Sequence, residues 1–598
     1  NRMKRIFLII SLLVSIFLYV EAQNIPVPMS YVRLYDFIDE LITDGVITHQ
    51  TAVRPYTRMQ VAHMLEQAQL ADSTLNVRQK KDLAFYLNEF ALERDTMVNN
   101  YVQYTDHSTY NLSLADPQFS YKAKNNSFKM RLRPILGANI IANKKGAILQ
   151  RWWGAELQMD IANHLSIWGS LRDYSWNGNW LSDQYFPSAY DKIRGAKIHY
   201  GNSLQAPALR NLPGVQYKEA NYGGDFSDSK GGINLYSWWG SIGIQRDNIR
   251  WGDAYNSSNI LSGRNPAVPM ITLQLTPCKW FQFDYFHAWL VSNVLDSTYY
   301  YLENTAGSDV ALKNYRPYNK FMAANMFTFT PIKYLSFSFG NSVIYAEKTI
   351  QAAYLIPIAF YKSLDHLMTK GVRTQNQNSQ VFASLSVRPV DHLQLYGSFY
   401  LDEVKFSRFK KSNPQNNPIS YLVGFNWSGW PVKGLSLKGE FMRSYIACYT
   451  HSIDVLDWSS NSYNMGHYMG DNAQSIYAEL AYRPIRGALL KLSYSNDRKY
   501  NSYAYLRDNI GATISEKPFD YCIYSNNEVR LDGIYEVHPN MFMTLSLGYN
   551  NAQGFDNIKT NALPSEDIGD AQYYLDKFSP LFYQGKNITA TVSFSFGF

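Results

Sequence analysis

The last twelve residues of the chain alternate strictly between apolar and small polar side chains. Between Asn587 and Phe598, isoleucine, alanine, valine and phenylalanine occupy every second position, with threonine, serine and glycine between them. A β-strand with this pattern has one apolar face and one small polar face. Because only a closed sheet satisfies its backbone polar groups inside a bilayer, the pattern predicts a strand of a transmembrane β-barrel whose apolar face contacts lipid.

The other end of the chain has the features of a secretory leader. Three basic residues precede an apolar run from Ile6 to Val20, and a small-residue cleavage site ends at Ala22. The run is shorter than the roughly 20 residues of a membrane-spanning helix, and no comparable run follows it. We therefore expect residues 1–22 to be a signal peptide, with an exported chain that begins at Gln23 and has no helical membrane anchor.

Composition favours a membrane barrel over a soluble protein. Aromatic residues make up 15% of the chain (47 Tyr, 32 Phe, 13 Trp). Mean hydropathy is nevertheless only -0.30, as expected when half of every barrel strand faces water. The formal net charge of +7 becomes smaller once the leader is removed, so we expect no nucleic-acid partner.

The three cysteines are too few for a disulfide framework in a chain of 598 residues. In an oxidising compartment one pair could form, and Cys448 with Cys522 is the favoured pair because Cys278 lies in a predicted turn at the opposite end. Three free thiols are the alternative.

Residues 31–97 have a helical period instead of an alternating one. Apolar residues spaced three and four apart predict a first helix that ends at Gly45, a second that begins at Thr57 and a third from Leu83 to Ala91. Thr57 and Gln60 have the spacing of a capping box.

About 70 residues are marginal for independent stability, so we expect these helices to dock on the barrel. The predicted organisation is a helical periplasmic domain over residues 23–97 and an outer-membrane barrel over residues 98–598.

Proline-containing turns recur between the alternating runs. Pro277, Pro331, Pro389, Pro431, Pro484 and Pro539 each lie between two such runs. Proline favours tight turns and is excluded from the middle of a ladder, so these residues mark short periplasmic turns, and the long connections are expected to be extracellular. With two further turns, near Asn163 and at 237–240, the pattern predicts an all-β membrane protein, an antiparallel barrel of roughly 18 strands, with sixteen as the alternative.

One segment resembles the signature of the Wzi capsule-assembly family. A strand ending in Trp-Gly is followed by a polar loop and by paired prolines that enter the next strand, within residues 241–252 and 259–273. The matching residues are Trp251, Gly252, Leu261, Ser262, Asn265, Pro266 and Pro269. The leader, the small helical domain and the large barrel extend this resemblance over most of the chain.

The resemblance implies an outer-membrane lectin that helps to assemble or attach capsular or extracellular polysaccharide at the surface of a Gram-negative cell. Further expected partners are outer-membrane lipids, lipopolysaccharide and the barrel-assembly machinery, whose signal the C-terminal phenylalanine resembles. The chain is longer in its loops than the smaller family members, so the identity of the polysaccharide stays open.

Topology places the segment from Trp251 to Pro269 at the extracellular end or inside the lumen. Sugar sites combine aromatic faces with planar polar groups, and the segment supplies both. The candidate glycan-binding residues are Trp251, Asp253, Tyr255, Asn256, Asn259, Arg264 and Asn265. The alternative is that the aromatic residues belong to the interfacial girdle and that Asn-Pro only shapes a turn.

Other loops also carry features of interest. Aromatic clusters around Trp176 and Trp458 could bind glycan or simply pack, and a basic run from Lys405 to Lys411 could meet anionic sugar or lipopolysaccharide. The segment from Tyr354 to Tyr361 is too apolar for water, so we expect it to fold into the barrel as a constriction.

We expect no enzyme activity, cofactor or metal site, since no catalytic or metal-ligand motif is present in the sequence. A porin or substrate-selective channel is the alternative function, and it predicts an open lumen. An outer-membrane hydrolase, a third hypothesis, would need Asp, His or Ser residues that converge from separate loops.

Overall fold

The chain folds into a large barrel that carries a small helical domain at one end. The computed structural model describes residues 25–48, 51–94, 102–105, 108–113, 117–123, 125, 127–177, 184–185, 197–198, 218–220, 223–303, 312–368, 377–402, 408, 416–429, 431–461, 463–501, 503, 516–557 and 569–597. The predicted signal peptide and, apart from Arg408, the predicted basic run fall outside these residues, as does most of the loop that follows Trp176.

The described residues form a closed antiparallel barrel of 18 strands. The wall strands are β1 Phe128–Asn143, β2 Gly146–Ile161, β3 Leu165–Asn177, β4 Gly223–Ser237, β5 Gly240–Asp247, β6 Val268–Cys278, β7 Phe281–Leu290, β8 Lys320–Ile332, β9 Leu335–Tyr345, β10 Gln377–Val390, β11 Leu393–Leu401, β12 Ile419–Ser428, β13 Leu435–Ser444, β14 Ala473–Tyr482, β15 Ala488–Tyr500, β16 Cys522–His538, β17 Met541–Gly554 and β18 Gly585–Phe596. Pairing of β18 with β1, from Ala590 opposite Ala142 to Phe596 opposite Leu136, closes the ring. The predicted number of strands is confirmed.

Alternation along the strands separates a polar lumen from an apolar outer belt. In β13, Leu437 is 42% exposed on the outside, whereas Lys438 and Glu440 are buried inside. In β18, Ile588 and Phe594 are exposed on the outer face. Such a belt of outward apolar side chains is typical of a barrel that spans a membrane.

The prolines lie where the sheet can tolerate a missing N–H. Pro277, Pro331 and Pro389 each occupy a break in the strand register immediately before a tight turn. There proline interrupts no ladder hydrogen bond. Eight short turns lie at one end of the barrel, at residues 162–164, 238–239, 279–280, 333–334, 391–392, around 431–434, and at 483–487 and 539–540, whereas the tight turn 144–145 between β1 and β2 lies at the opposite end. We call the end with the eight turns the turn end, and the opposite end the loop end.

Three helices pack into the mouth at the turn end: α1 Val32–Thr43, α2 Arg58–Leu70 and α3 Val77–Glu89. Their apolar residues form one buried core, which Phe542 of the wall joins. The capping box of Thr57 and Gln60 is confirmed, and both of its hydrogen bonds are present.

The remaining elements lie in the connections. Two further helices are α4 Tyr361–Met368 and α5 Ala571–Phe578. Short 3-10 turns cover Asp72–Thr74, Ala352–Leu355, Asp454–Leu456 and Leu581–Tyr583. Four short strands extend the barrel sheet: Val102–Thr105, Ser108–Ser113, Gln118–Ala123 and Lys218–Ala220. The short strands outside that sheet are Val53–Arg54, Gln184–Tyr185, Lys197–Ile198, Arg250–Trp251, Leu261–Ser262, Leu295–Glu303, Leu312–Pro317, Ser459–Ser460 and Tyr463–Asn464. In the part of the chain that the structure describes, no helix has the length and apolar character needed to span a bilayer.

The apolar segment from Tyr354 to Tyr361 lies on the outside of the barrel, so the predicted constriction is wrong. It belongs to residues 346–368, which we call the outer strap. Asn325 of β8 donates to the carbonyl oxygens of Pro357 and Ala359 at 2.7 and 2.9 Å. Both neighbours of Asn325 in β8 point into the lumen core, so its own side chain faces outward.

The outer strap contacts the wall through backbone hydrogen bonds and through the buried rings of Tyr354 and Tyr361, which pack on an apolar patch of the wall. The backbone N–H of Tyr361 donates to Asn341 at 2.8 Å, and the hydroxyl of Tyr285 donates to the Tyr354 carbonyl at 3.0 Å. Ile358 and Phe360 are 70% and 50% exposed on the opposite side. Lipid accepts apolar side chains as readily as a lumen core does, so apolar character alone did not decide which side the strap occupies.

All three cysteines are free thiols, so the pairing favoured for Cys448 and Cys522 is absent. Cys448 is fully buried in the apolar core of the lumen.

Candidate functional site

The connection between β5 and β6, residues 248–267, folds back from the loop end into the lumen. We call it the motif loop, since it contains the signature residues. Its strand Arg250–Trp251 pairs with Leu261–Ser262 on one side and with Val53–Arg54 on the other. The last of these belongs to the segment that joins α1 and α2, so a loop from one end of the barrel forms a small sheet with the helical domain from the other end.

Trp251 is an apolar core residue of the lumen. Its side chain is 1% exposed. The indole contacts the rings of Phe286 and Phe382 at 5.2 and 5.4 Å between centroids, both edge-on. Trp251 therefore does not belong to an interfacial girdle, and its ring faces are covered by the barrel wall.

Asn259 uses its whole amide in contacts with the wall. Its amide nitrogen donates to the carbonyl oxygens of Ser398 and Ser420 at 3.3 and 3.1 Å, and its oxygen accepts from the Ser398 hydroxyl at 2.5 Å. The residue is fully buried. A buried amide that is satisfied in this way fixes the position of the loop.

Glu440, an inward carboxylate of β13, holds the middle of the motif loop. It accepts the backbone N–H groups of Tyr255 and Asn256, the latter at 3.0 Å, and the hydroxyl of Tyr396 at 2.7 Å. The ring of Tyr255 also lies 4.1 Å from the Lys438 ammonium group. The alternation of Leu435, Leu437 and Phe441 with Lys438 and Glu440 predicts from the sequence that Glu440 points inward. It does not predict that Glu440 binds this loop.

Tyr468 joins two of the candidates. The Arg264 guanidinium lies 4.5 Å above its ring, and Asn256 donates to its hydroxyl at 3.1 Å. That hydroxyl donates in turn to Asp497 of β15 at 2.9 Å.

The burial of the seven candidates is uneven. Tyr255 and Arg264 are partly exposed, and the other five are buried. Asn265 donates to the neighbouring Pro266 carbonyl at 3.0 Å. That these residues contact glycan stays a prediction.

The connection between β13 and β14, residues 445–472, covers the motif loop from the loop end. Trp458 is fully buried and donates from its indole nitrogen to the Ile260 carbonyl at 3.1 Å. Ser262 donates from its backbone to the Met465 carbonyl at 2.7 Å. The aromatic cluster around Trp458 therefore packs the lumen. Trp176 is likewise buried, against Phe582 and Tyr583.

A single side chain of β12 contacts both the helical domain and the motif loop. The amide nitrogen of Asn426 donates to the Thr43 hydroxyl at 2.8 Å and to the Tyr255 hydroxyl at 3.0 Å. Together with the shared small sheet, this contact connects the two plugging segments in the middle of the lumen.

Buried ion pairs attach the helices to the wall. Asp36 of α1 accepts from Arg33 at 2.6 Å and from Arg483, in a tight turn, at 2.7 Å. Burial alone would raise the pKa of Asp36, but the charges of Arg483, Lys438 and Arg33 hold it well below its ordinary value.

Glu89 at the end of α3 is bound in a similar way. It pairs with Arg131 and Arg133 of β1, each at 3.1 Å, and with Arg58 of α2 at 3.3 Å. Burial opposes ionisation, yet the three guanidinium groups lower the pKa of Glu89 to about 2.

Within the residues described, no group of three His, Cys, Asp or Glu side chains is placed to hold a metal ion.

Comparison with known proteins identifies relatives of the chain. The family model described as capsule assembly protein Wzi matches residues 195–562, more than half of the chain. Among solved structures, the chain is similar to Wzi of Escherichia coli, described as an outer membrane protein involved in group 1 capsule assembly and as a carbohydrate-binding β-barrel. The identity is 11% and the TM-score 0.51, over 96% of this chain and 100% of that one.

Two proteins of Pseudomonas aeruginosa are similar at lower TM-scores. OccK8 (OprE) has 9% identity and a TM-score of 0.40, over 78% of this chain and 97% of that one. OprD has 9% identity and a TM-score of 0.38, over 78% of this chain and 93% of that one. No curated protein matches the chain.

Proposed function

Because this chain belongs to the Wzi capsule assembly family, we propose that it is a non-enzymatic outer-membrane barrel that binds polysaccharide and holds it at the cell surface. The family match includes the whole motif loop. The observation that carries the proposal is the position of that loop inside the lumen, where residues 445–472, the wall and the helical domain hold it.

The orientation follows from the barrel. In outer-membrane barrels the short turns face the periplasm and the long loops face outward. We therefore place the turn end and the helices in the periplasm and the loop end at the cell surface.

The filled lumen supports a binding protein over a porin. A passive channel needs a continuous aqueous path. Here the helices contact the motif loop, and the motif loop contacts residues 445–472 through Trp458 and Met465. We expect the purified full-length protein to show no porin-like conductance in planar bilayers. Regular single-channel steps would favour the channel instead.

The proposal is tested by the distribution of polysaccharide between cells and medium. Without the protein, we expect polymer to move from the cell-attached to the released fraction, and the wild type to restore attachment. A variant with Trp251→Ala and Asn265→Ala tests the motif loop. The matched control is Trp280→Ala, which removes an exposed tryptophan at the turn end.

Membrane levels of each variant are compared by heat-dependent migration in gels, which reports a folded barrel. If removal of the protein leaves the partition of polymer unchanged, the proposed function is wrong. If the double variant and Trp280→Ala restore attachment equally well, the motif loop is not the site.

A further inference from the structure

An exposed two-stranded ribbon extends from the loop end, between β7 and β8. Its strands are Leu295–Glu303 and Leu312–Pro317. Contacts at the base attach it to the barrel: the Tyr318 N–H donates to the Val294 carbonyl at 2.9 Å, and the Val291 N–H donates to the Ser460 hydroxyl at 3.1 Å.

Four tyrosines cover both faces of this ribbon. Tyr299, Tyr300, Tyr301 and Tyr315 are 52%, 41%, 48% and 42% exposed. A two-stranded hairpin is at best marginally stable in water, and aromatic residues usually bury most of their surface. Such a ribbon therefore offers aromatic surface to a ligand.

On one face, an arginine lies between two of the tyrosines. The guanidinium carbon of Arg316 is 4.2 Å from the ring centre of Tyr301 and 5.1 Å from that of Tyr299. Asp296 lies opposite Arg316 in the register. Its carboxylate instead accepts from the Thr298 N–H at 2.8 Å and from the Thr298 hydroxyl at 2.6 Å.

The other face repeats the arrangement with a lysine. The Lys313 ammonium group lies 4.6 Å from the ring centre of Tyr300, which meets Tyr315 edge-on at 5.7 Å. Over the described ranges, the side-chain contacts of Lys313 and Arg316 are with tyrosines, including one from Arg316 to the Tyr299 hydroxyl at 3.5 Å.

This combination suits an acidic sugar. An aromatic face packs against the C–H face of a sugar ring, while a cation held beside the ring binds a carboxylate or phosphate on the same sugar. The rings restrict the motion of Arg316 and Lys313, so less side-chain entropy is lost on binding. We propose that the ribbon binds the anionic units of an acidic polysaccharide. This inference rests on the proposed function and names the class of polymer.

The test measures binding of polygalacturonate to the purified full-length protein. Its methyl ester, which has the same backbone without the charge, is the matched ligand. We expect the acid to bind, the ester to bind less, and salt to weaken binding of the acid. A variant with Arg316→Gln and Lys313→Gln should bind the acid about tenfold more weakly. The control is Lys333→Gln, which removes a lysine 4.7 Å from the exposed Tyr334 ring at the turn end.

Three outcomes would overturn the inference: no binding of polygalacturonate by the wild type, equal binding of acid and ester, or an equal loss in the double variant and in Lys333→Gln. Vesicles that contain lipid A test the membrane surface as the source of phosphate. If the double variant loses binding to lipid A but still binds polygalacturonate like the wild type, the inference that the ribbon binds polysaccharide is also refuted.

Cells separate this inference from the proposed function. If the double variant retains polymer as the wild type does, the ribbon is not the site, although the proposed function stands. If removal of the whole protein leaves the partition of polymer unchanged, the proposed function fails, whatever the ribbon binds in solution.

Discussion

Replacing Asp36 with asparagine is expected to loosen the helical domain from the barrel. The side chain of Asp36 is 7% exposed and pairs with Arg33 and Arg483, with Lys438 3.8 Å away. Asparagine keeps the shape but removes the charge, and this leaves three buried cations with one fewer counter-charge. Breaking a buried ion pair on one side costs about 3–5 kcal/mol.

The control is Asp72→Asn. Asp72 pairs with Lys80 at 2.6 Å, but the Lys80 and Asp72 side chains are 43% and 57% exposed. An exposed pair contributes about 0–1 kcal/mol. The two variants therefore remove the same charge from one helical domain, with different expected costs.

Hydrogen exchange of the amides of α1 and α3 in the full-length protein measures the free energy of local opening. We expect Asp36→Asn to speed exchange by about a hundredfold or more, and Asp72→Asn by less than about fivefold. Equal exchange in the two variants would refute the argument that burial makes the Asp36 pair strong.

The effect of Asp36→Asn should also depend on pH. The folded state lowers the pKa of Asp36, so the contribution of its charge is fully present above the unfolded pKa of about 4 and is lost as pH falls toward the folded value. The difference between wild type and variant should be constant from about pH 6 to 8 and shrink below about pH 4. A constant difference down to pH 2 would contradict this linkage.

Further predictions concern the lumen and the outer strap. Trp251→Ala should destabilise the packed motif loop by about 3–5 kcal/mol, seen as faster exchange at residues 248–267, and Trp251→Phe by less; equal effects would show that the ring is not packed. Asn325→Leu should free the outer strap, because two carbonyl oxygens lose their donor at about 1–3 kcal/mol each. Proteolysis within residues 351–368 checks this, and an unchanged rate contradicts it. Glu89→Gln should weaken docking of α3 at neutral pH. The pKa of Glu89 is lowered to about 2, so in the wild type the stabilisation from the Glu89 charge disappears as pH falls from about 4 toward 2. Hydrogen exchange at α3 measures the difference between wild type and Glu89→Gln, and a difference that grows as the pH falls would be evidence against the ion pairs.

Much of the fold could be predicted from local patterns. The alternation in β18, the inward Lys438 and Glu440 of β13 and the capping box of Thr57 all match the structure. Each of these features depends on residues only a few positions apart. The motif loop was located too, but its two possible positions, extracellular or luminal, stayed open until the contacts of Trp251 were known.

The contacts that position the candidate site could not be predicted from the sequence. Glu440 binds the backbone of residues about 185 positions earlier, and Asn426 contacts Thr43 383 positions away. Nothing in the local pattern of either strand specifies such a partner. The sequence analysis also did not single out the exposed tyrosines of the ribbon, because the consecutive run from Tyr299 to Tyr301 does not show whether the rings are exposed.

The sequence by itself determined the barrel, its approximate size and the face that its alternating strands turn to lipid, because a period of two is a property of neighbouring residues. The choice between 18 and sixteen strands needed the structure. Only the tertiary structure decided what fills the lumen and what covers the wall. Residues 354–361 are apolar enough for either side of the sheet. On the outside, Asn325 and Asn341 form hydrogen bonds with the backbone of these residues, and the rings of Tyr354 and Tyr361 pack on an apolar patch of the wall. Inside, Trp251 and Trp458 already occupy the apolar core.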